Sequence, residues 1–274
     1  TEPILHTSRT TMESIQLENK DVFQDIIRDY EAARPGYPPE LYRDIIAFSK
    51  LGNGAKVLEI GSGPGQATAY FVENGYHTTA LEISEKQVAF LQEKFAEKRN
   101  LQCVCSTFES FESPNDSFDL IFSATAFHWI KPEVGYPKAH RLLKPNGVMA
   151  VFWHLASIIE PETEMLCEIR EIYRTHAPEL DDYITREEGE TMHLRLISEM
   201  QAGGLFQNLV SRTYRWDDVY ETERYLKLMN SYSDFHAISK DAREAILSEV
   251  AAYIECNGGR ITIPQEVRLY MARK

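Results

Sequence analysis

The chain has 274 residues, of which 43% are hydrophobic, and its formal net charge at pH 7 is −13. This length and apolar content allow a sizeable buried core, and no apolar run approaches the roughly 18 residues of a membrane-spanning helix. Because electrostatic binding of nucleic acid needs a basic face, the acidic balance argues against a nucleic-acid partner.

The N-terminal segment has two parts. Residues 1–12 are polar and lack periodicity, which predicts a disordered leader or a tag remnant. Further along, Tyr30, Arg34 and Tyr37 surround two prolines just ahead of a helical segment. The prolines by themselves are consistent with a turn that precedes a helix. Two tyrosines and an arginine exceed what such a turn requires, so we interpret these three side chains as ligand contacts.

A glycine-rich turn follows the first predicted strand. Residues 57–66 read VLEIGSGPGQ, in which an apolar strand breaks into alternating glycines at Gly61, Gly63 and Gly65. Without side chains, the backbone can turn tightly and approach a ligand. The helix that starts next points its free N–H groups into the same space. This arrangement indicates a site for a nucleotide-like cofactor.

Two details separate the candidate cofactors. An NAD-type site has the pattern Gly-x-Gly-x-x-Gly, whereas here Gln66 occupies the place of the last glycine. Glu59 adds a carboxylate at the end of the strand, where it would repel a pyrophosphate and attract a cationic, amino-bearing ligand. Both details count against an NAD-linked oxidoreductase, which is kept as an alternative.

The second predicted strand, residues 77–83, ends in Glu82. A carboxylate about twenty residues past the glycine turn is placed to accept both hydroxyls of a ribose. The alternative is a solvated carboxylate at a strand end. Beside the glycine turn, ribose binding is the better interpretation.

A Phe-His-Trp group follows the fourth predicted strand, residues 118–123. This strand is nearly continuous in apolar residues, as expected when both faces of a sheet are covered. His128 and Trp129 come just after its carboxyl end, where open α/β sheets place their ligands. A Lys-Pro-Asn-Gly turn then precedes a fifth strand that leads to Trp153 and His154.

In order and spacing, these blocks resemble the class I S-adenosylmethionine-dependent methyltransferases across residues 56–154. The Tyr…Arg-Pro-x-Tyr-Pro segment resembles a small-molecule, methyltransferase type 11-like group similar to the trans-aconitate methyltransferases. The resemblance implies S-adenosylmethionine as cofactor and O-methylation of a small molecule, with a carboxylate as one acceptor. It also implies a doubly wound, mostly parallel seven-stranded Rossmann-like sheet, with an antiparallel last strand and a helical insertion after the fifth strand.

The resemblance also assigns roles to individual residues. Such enzymes often carry an Asp after the third strand, whereas Ser106 and Thr107 stand here. Hydroxyl and backbone groups of Thr107 and Phe108 are then expected to read the adenine edge, with weaker charge assistance. This departure keeps open a catalytically silent protein that binds the cofactor without turnover. The predicted cofactor-binding residues are Glu59, Gly61, Ser62, Gly63, Gly65, Gln66, Glu82, Ile83, Thr107, Phe108, Ser123 and Ala124. The predicted substrate-binding residues are Tyr30, Arg34, Tyr37, Trp129, Trp153 and His154.

His128 is the candidate catalytic residue. Its neutral imidazole is available near pH 7 as a general base or as a hydrogen-bond donor to the substrate. A carboxylate nucleophile needs no base, whereas a phenol, alcohol or amine can require one. A structural role after the fourth strand is the alternative.

The remaining expectations concern organisation and location. We predict a cofactor-binding core at 13–154, a helical lid at 155–205, and completion of the sheet with further helices at 206–274. The four cysteines are expected to be small buried hydrophobes, and no metal is predicted, because neither cysteines nor histidines show ligand spacing. Without a visible signal peptide, the cytoplasm is the expected location. The chain is expected to be a monomer or a homodimer, without membrane attachment.

Overall fold

The computed structural model describes residues 33–155, 163–180, 186–232 and 234–274. The predicted leader and Tyr30 lie outside the described residues. The chain divides into two units. The sheet unit comprises Gly36–Ala156, Arg186–Arg215 and Glu266–Lys274, and the helical unit comprises Trp216–Gln265 with parts of Thr1–Pro35 and Ser157–Thr185, in each case as far as residues are described.

Seven strands form one sheet in the order β3-β2-β1-β4-β5-β7-β6. The strands are β1 (Lys56–Ile60), β2 (His77–Glu82), β3 (Leu101–Cys105), β4 (Phe118–Ala124), β5 (Leu143–His154), β6 (Gln207–Glu221) and β7 (Arg260–Arg273). Strands β1 to β5 pair in parallel, and β7 runs antiparallel to β5. The predicted mostly parallel sheet with an antiparallel last strand is confirmed. Strand order reverses between β1 and β4, and open α/β sheets bind ligands at such a switch point.

Eight α-helices occur among the described residues. They are α1 (Pro39–Ser49), α2 (Gln66–Glu73), α3 (Glu85–Lys94), α4 (Pro132–Leu142), α5 (Glu164–His176), α6 (Arg186–Gln201), α7 (Thr222–Asn230) and α8 (Lys240–Cys256). Helices α5 and α6 form the predicted insertion after the fifth strand. Helix α5 belongs to the helical unit and α6 to the sheet unit. The lid role of residues 155–205, like the predicted domain boundaries, stays a prediction.

The centre of the sheet unit is a cluster of buried aromatic side chains. Phe122 on β4 is fully buried, and its ring stacks on Phe71 of α2 at a centroid distance of 4.5 Å. On the neighbouring strand β5, the ring of Phe152 lies 6.2 Å from Phe122 and nearly parallel to it. Burial of such rings is a large part of what stabilises a core. These contacts fix β4 and β5 beside one another, so that the segments after their carboxyl ends are held in place.

The helical unit has its own core. Helix α8 buries Ile246, Val250 and Ile254, which recur every four residues and so share one face. Leu228 of α7 and Ile169 of α5 belong to the same cluster of buried side chains. A separate core of this kind is expected of a unit that forms its own layer of packed helices.

The cysteines are more exposed than the sequence predicts. Cys105, Cys167 and Cys256 are exposed, so the prediction that the four cysteines are buried is wrong for these three. Cys105 lies on β3, which is an edge strand of the described sheet.

Within the described ranges, no helix combines the length and the hydrophobicity that crossing a membrane requires.

Candidate active site

The glycine loop between β1 and α2 has the backbone conformation that only glycine adopts easily. Gly61, Gly63 and Gly65 have φ angles of 72°, 53° and 86°. A side chain at Gly65 would also collide with Leu91 of α3, whose Cδ1 atom lies 2.7 Å from the ideal Cβ position. The loop therefore depends on glycine both for its backbone angles and for its packing.

Gly61 lies at the contact between the glycine loop and the segment after β4. A Cβ atom at this position would lie 2.5 Å from Cβ of Ala126. On the other side, the N–H groups of Gly61 and Ser62 both donate to the carbonyl of Leu81 near the end of β2. The turn that carries His128 begins directly after Ala126, so this turn and the glycine loop are neighbours.

Glu82 ends β2 and organises the backbone around it. Its Oε2 atom accepts the N–H of Gly63 at 2.9 Å, and its Oε1 atom accepts the N–H groups of Ile83 and Ser84 at 2.9 and 3.0 Å. Each carboxylate oxygen can accept two hydrogen bonds, so Oε2 retains one acceptor position. That position suits a hydroxyl donor such as those of a ribose.

Glu59 is a buried carboxyl group beneath the glycine loop. The hydroxyl of Thr68 donates to its Oε2 atom, and within the described parts of the chain Oε1 has no hydrogen-bond partner. Burial, with a smaller contribution from the negative charge of Glu82, raises the pKa of Glu59 to about 8 although the Thr68 hydrogen bond lowers it. The hydroxyl of Ser62 is likewise buried without a described partner. An unpaired buried carboxyl oxygen favours a cationic ligand, since pairing offsets the cost of its burial.

The end of β4 is tied to β1. The hydroxyl of Ser123 is buried and donates to the carbonyl of Ile60 at 2.8 Å. Ala124, the last residue of the strand, pairs in register with Phe152 of β5. The two predicted cofactor residues on β4 therefore lie at the carboxyl edge of the sheet, next to the end of β1.

The residues expected to hold an adenine flank the ends of β2 and β3. Ile83 follows Glu82 and is 70% exposed, which makes it an uncovered apolar side chain beside the Glu82 carboxylate. After β3, Phe108 is buried, and the hydroxyl oxygen of Thr107 accepts the N–H of Ser110 at 3.1 Å. The Thr107 hydroxyl thus already stabilises its own turn, while its hydrogen stays available as a donor.

An aromatic cluster surrounds His128. The indole N–H of Trp153, at the end of β5, donates to Nδ1 of His128 at 3.0 Å. The ring of Trp129 lies 4.7 Å from the His128 ring, and this tryptophan is 43% exposed. Burial, together with the positive charge of Arg195 on α6, lowers the pKa of His128 to about 4. His128 is therefore neutral at physiological pH.

Thr125 connects two further predicted substrate residues. Its hydroxyl lies 3.3 Å from the hydroxyl of Tyr37, and the N–H of His154 donates to it at 3.4 Å. Tyr37, Thr125 and His154 therefore meet at the carboxyl ends of β4 and β5, next to the aromatic cluster.

The sheet unit matches a family of known function. Residues 58–151, which run from β1 to β5, match the family described as the methyltransferase domain. The chain carries a methyltransferase domain.

Proteins with similar sequences agree with that assignment. An uncharacterized methyltransferase of Schizosaccharomyces pombe is 24% identical over 234 residues, which are 85% of this chain and 87% of that protein. A malonyl-(acyl-carrier protein) O-methyltransferase of a Marinomonas strain is 31% identical over 121 residues, which are 43% of this chain and 44% of that protein. The class predicted from the sequence, a class I S-adenosylmethionine-dependent methyltransferase, is confirmed, and so is its cofactor. The finer resemblance to trans-aconitate methyltransferases stays a prediction.

Solved structures share the fold of this methyltransferase. A protein described as a type II methyltransferase from Anaeromyxobacter dehalogenans aligns with a TM-score of 0.62 at 17% identity, over 88% of this chain and 97% of that chain. Haemonchus contortus phosphoethanolamine N-methyltransferase 2, in complex with phosphomonomethylethanolamine and S-adenosylhomocysteine, aligns with a TM-score of 0.54 at 17% identity. That alignment covers 92% of this chain and 57% of the Haemonchus chain. The predicted Rossmann-like methyltransferase fold is thereby confirmed.

The residues of this methyltransferase fit its cofactor. Glu82 keeps an acceptor position that suits a ribose hydroxyl, because its contacts within the described part of the chain occupy one of the two lone pairs of Oε2. The unpartnered Oε1 of Glu59 matches the cationic, amino-bearing half of S-adenosylmethionine. Exposed Ile83 offers an apolar surface to the base. The assignment of each predicted cofactor residue to a contact stays a prediction.

The predicted substrate residue Arg34 makes contacts within its own unit. It belongs to the helical unit, where its Nε atom donates to the hydroxyl of Ser231 at 3.2 Å and its guanidinium lies 4.6 Å from the ring centre of Tyr232. These contacts stabilise the helical unit. Its role in substrate binding stays a prediction.

Within the described ranges, no three histidine, cysteine, aspartate or glutamate side chains are grouped closely enough to hold a metal ion.

Sequence reasoning missed three residues that the fold brings to the site. Thr68 holds Glu59, Ala126 packs on Gly61, and Arg195 acts on His128 from α6. Thr68 and Ala126 look like ordinary helix and loop residues in the sequence. Arg195 reads as half of an exposed helical ion pair, because Glu199 lies four residues later and contacts it at 2.7 Å. None of the three has a sequence signal that distinguishes it.

Proposed function

We propose that this methyltransferase O-methylates a small molecule that binds beside the glycine loop, against the turn that carries His128. The observation that carries the proposal is the contact of Gly61 with Ala126, whose Cβ atom lies 2.5 Å from the ideal Cβ position of Gly61. This contact supports adjacent cofactor and acceptor sites. Adjacency matters because methyl transfer depends mainly on alignment of the two reactants and exclusion of water.

The groups beside that turn suit a small acceptor. His128 is half-buried and neutral, and Trp129 and Trp153 flank it with apolar surface. A few polar groups in a largely apolar wall are typical of small-molecule sites. The net charge of −13 supports the same choice, since a nucleic-acid acceptor would need a basic face.

Oxygen is the acceptor atom that the relatives favour, because malonyl-(acyl-carrier protein) O-methyltransferases are among the matches at 29 to 31% identity. When bound, the cofactor supplies a methyl group on a positively charged sulfur, so that transfer to a carboxylate forms the O–C bond, breaks the S–C bond and leaves the electron pair on sulfur. No proton leaves a carboxylate in this step. The chain then has to orient the acceptor oxygen and keep water away.

Calorimetry with S-adenosylmethionine, S-adenosylhomocysteine and NAD in parallel tests the cofactor. We expect both sulfur compounds to bind and NAD to show no heat of binding. Absence of binding in a folded sample would overturn the cofactor site. An acceptor screen with small carboxylic acids, phenols and amines, monitored by release of S-adenosylhomocysteine, then tests the acceptor class. Turnover of amines alone would refute O-methylation, and binding without turnover would favour the silent alternative.

Cytoplasmic location and a monomeric or homodimeric state stay predictions. Sedimentation of the purified chain at several concentrations measures the second of these directly.

A further inference from the structure

The hydrogen bond from Trp153 to His128 decides which imidazole nitrogen carries the proton. The indole nitrogen of a tryptophan is a donor only. Its partner, Nδ1 of His128 at 3.0 Å, must therefore be the unprotonated nitrogen with a lone pair. A neutral imidazole carries its one proton on the other nitrogen, so His128 is in the Nε2–H form.

Both partners are held firmly in place. Trp153 is buried on β5, and its ring packs edge-on against the ring of Tyr270 on β7 at a centroid distance of 6.0 Å. Tyr270 is in turn hydrogen-bonded to His193 of α6 at 2.7 Å. His128 lies in a 3-10 turn closed by the bond from the Trp129 N–H to the Ala126 carbonyl. Packing therefore holds the Trp153 indole in place, and the turn holds the backbone of His128 beside it.

A second proton on His128 is opposed from three sides. Protonation of Nδ1 would place two N–H groups against each other, because Trp153 offers no acceptor. Burial of the ring disfavours its charged form. The positively charged guanidinium of Arg195 on α6 repels an imidazolium at His128. Arg195 itself is paired with Glu199, whose carboxylate contacts it at 2.7 Å.

We propose that Trp153 is a positioning residue that locks His128 in the Nε2–H form, so that His128 presents a hydrogen-bond donor to the methyl acceptor and does not act as a general base. The use of this donor rests on the proposed function, whereas the locked proton position does not. The consequence for the reaction is specific. An acceptor oxygen next to Nε2 is oriented by a hydrogen bond from the Nε2–H group, and His128 does not remove a proton from it.

The proton position can be measured without cofactor or acceptor. The full chain is labelled with ¹⁵N-histidine, and long-range ¹H–¹⁵N correlation spectra are recorded between pH 5.5 and 8; the His128→Gln variant identifies the His128 signals by their loss. We expect one protonated nitrogen, Nε2, and no titration of His128 over this range. An Nδ1–H form, or a titration midpoint near 6.5, would overturn the proposal whatever the protein methylates.

Two matched variants test the part played by Trp153. Trp153→Phe keeps an aromatic ring but removes the N–H donor, so we expect a mixture of the two neutral forms and a higher titration midpoint for His128. Trp129→Phe makes the same chemical change at the neighbouring tryptophan and is expected to leave the His128 signals in the Nε2–H pattern. Equal effects of the two variants would refute a specific role for Trp153. If Trp153→Phe does not fold, the wild-type spectrum still decides the proton position.

A kinetic readout follows once an acceptor has been found. The wild-type pH profile of kcat is expected to show no ionisation that belongs to His128. A new ionisation in the profile of Trp153→Phe, at the midpoint seen by NMR, supports the positioning role. The same ionisation in the wild-type enzyme would identify His128 as a base and contradict the proposal.

Discussion

The carboxylate of Glu82 accepts the backbone N–H of Gly63 across 2.9 Å, which joins the end of β2 to the middle of the glycine loop. The same carboxylate caps the N–H groups of Ile83 and Ser84. Charge-assisted hydrogen bonds of this kind are stronger than those between neutral groups. Glu82 therefore shapes the loop before any ligand arrives, in addition to the ribose contact predicted for it.

Replacement of Glu82 by alanine should weaken cofactor binding at least about tenfold, because it removes a charged hydrogen-bond acceptor from the ligand and from the loop. Calorimetry with S-adenosylhomocysteine measures the change. Glu73→Ala, which removes an exposed carboxylate from the other end of α2, is the matched control and should bind like the wild type. Equal affinity of the Glu82→Ala and wild-type proteins would refute the ribose assignment.

Glu59→Gln should stabilise the chain without cofactor, and increasingly so as pH rises. The pKa of Glu59 is about 8 in the folded protein, against 4.5 as its ordinary value. The unfolded chain releases this proton at lower pH than the folded one, so wild-type stability falls as pH rises from about 4.5 towards 8. Glutamine has no proton to release, and its oxygen can still accept the Thr68 hydroxyl.

Denaturant unfolding at pH 5 and pH 8 measures this effect. We expect the stability difference between Glu59→Gln and wild type to grow by about 1 kcal/mol or more between the two pH values. Glu73→Gln, at an exposed position, is the control for loss of an acidic side chain. A difference that stays constant with pH would show that Glu59 is ionised in the folded protein.

Gly61→Ala should destabilise the fold and weaken cofactor binding together. The added methyl group meets Cβ of Ala126 at 2.5 Å, and the φ angle of 72° is strained for alanine. We expect a loss of about 2 kcal/mol or more in the free energy of unfolding. Gly52→Ala is the control, since open space surrounds that position. Thermal unfolding compares the two, and a Gly61→Ala protein as stable as Gly52→Ala would contradict the close contact.

Arg268→Met should destabilise the sheet unit. Arg268 is buried on β7 and pairs with the buried Glu266 at 2.7 Å and with Glu190 of α6 at 2.8 Å. Among the described residues, loss of the arginine leaves the Glu266 carboxylate with its ion pair to Arg215, which is largely exposed. A buried charge that loses its partner costs about 3–5 kcal/mol.

Arg215→Met is the matched variant for the same ion-pair group. Its side chain is exposed, so its removal should cost about 1 kcal/mol or less. Denaturant unfolding of both variants checks the order. Equal destabilisation would mean that Arg268, like Arg215, contributes only as a solvated ion pair.

Sequence pattern was sufficient for the elements that depend on local chemistry. The glycine loop and the acidic residues at the strand ends are set by backbone angles and near-neighbour hydrogen bonds, which short sequence spacings encode. The nearly continuous apolar residues of the central strand β4 likewise predicted burial on both faces. The cysteine prediction was wrong at Cys105, because position at a sheet edge is a property of strand order.

The sequence by itself predicted a site for a nucleotide-like cofactor, because such a loop needs particular residues at fixed spacing along one strand–turn–helix unit. Its resemblance to the class I S-adenosylmethionine-dependent methyltransferases implied the class of fold, the enzyme class and the cofactor. The tertiary structure alone decided the chemistry at His128. Trp153 lies twenty-five residues away along the chain and Arg195 much farther, and only the pairing of β4 with β5 and the placement of α6 bring them to the imidazole. The nitrogen of His128 that carries the proton is set by contacts with residues distant in the sequence, so a local sequence motif does not predict it.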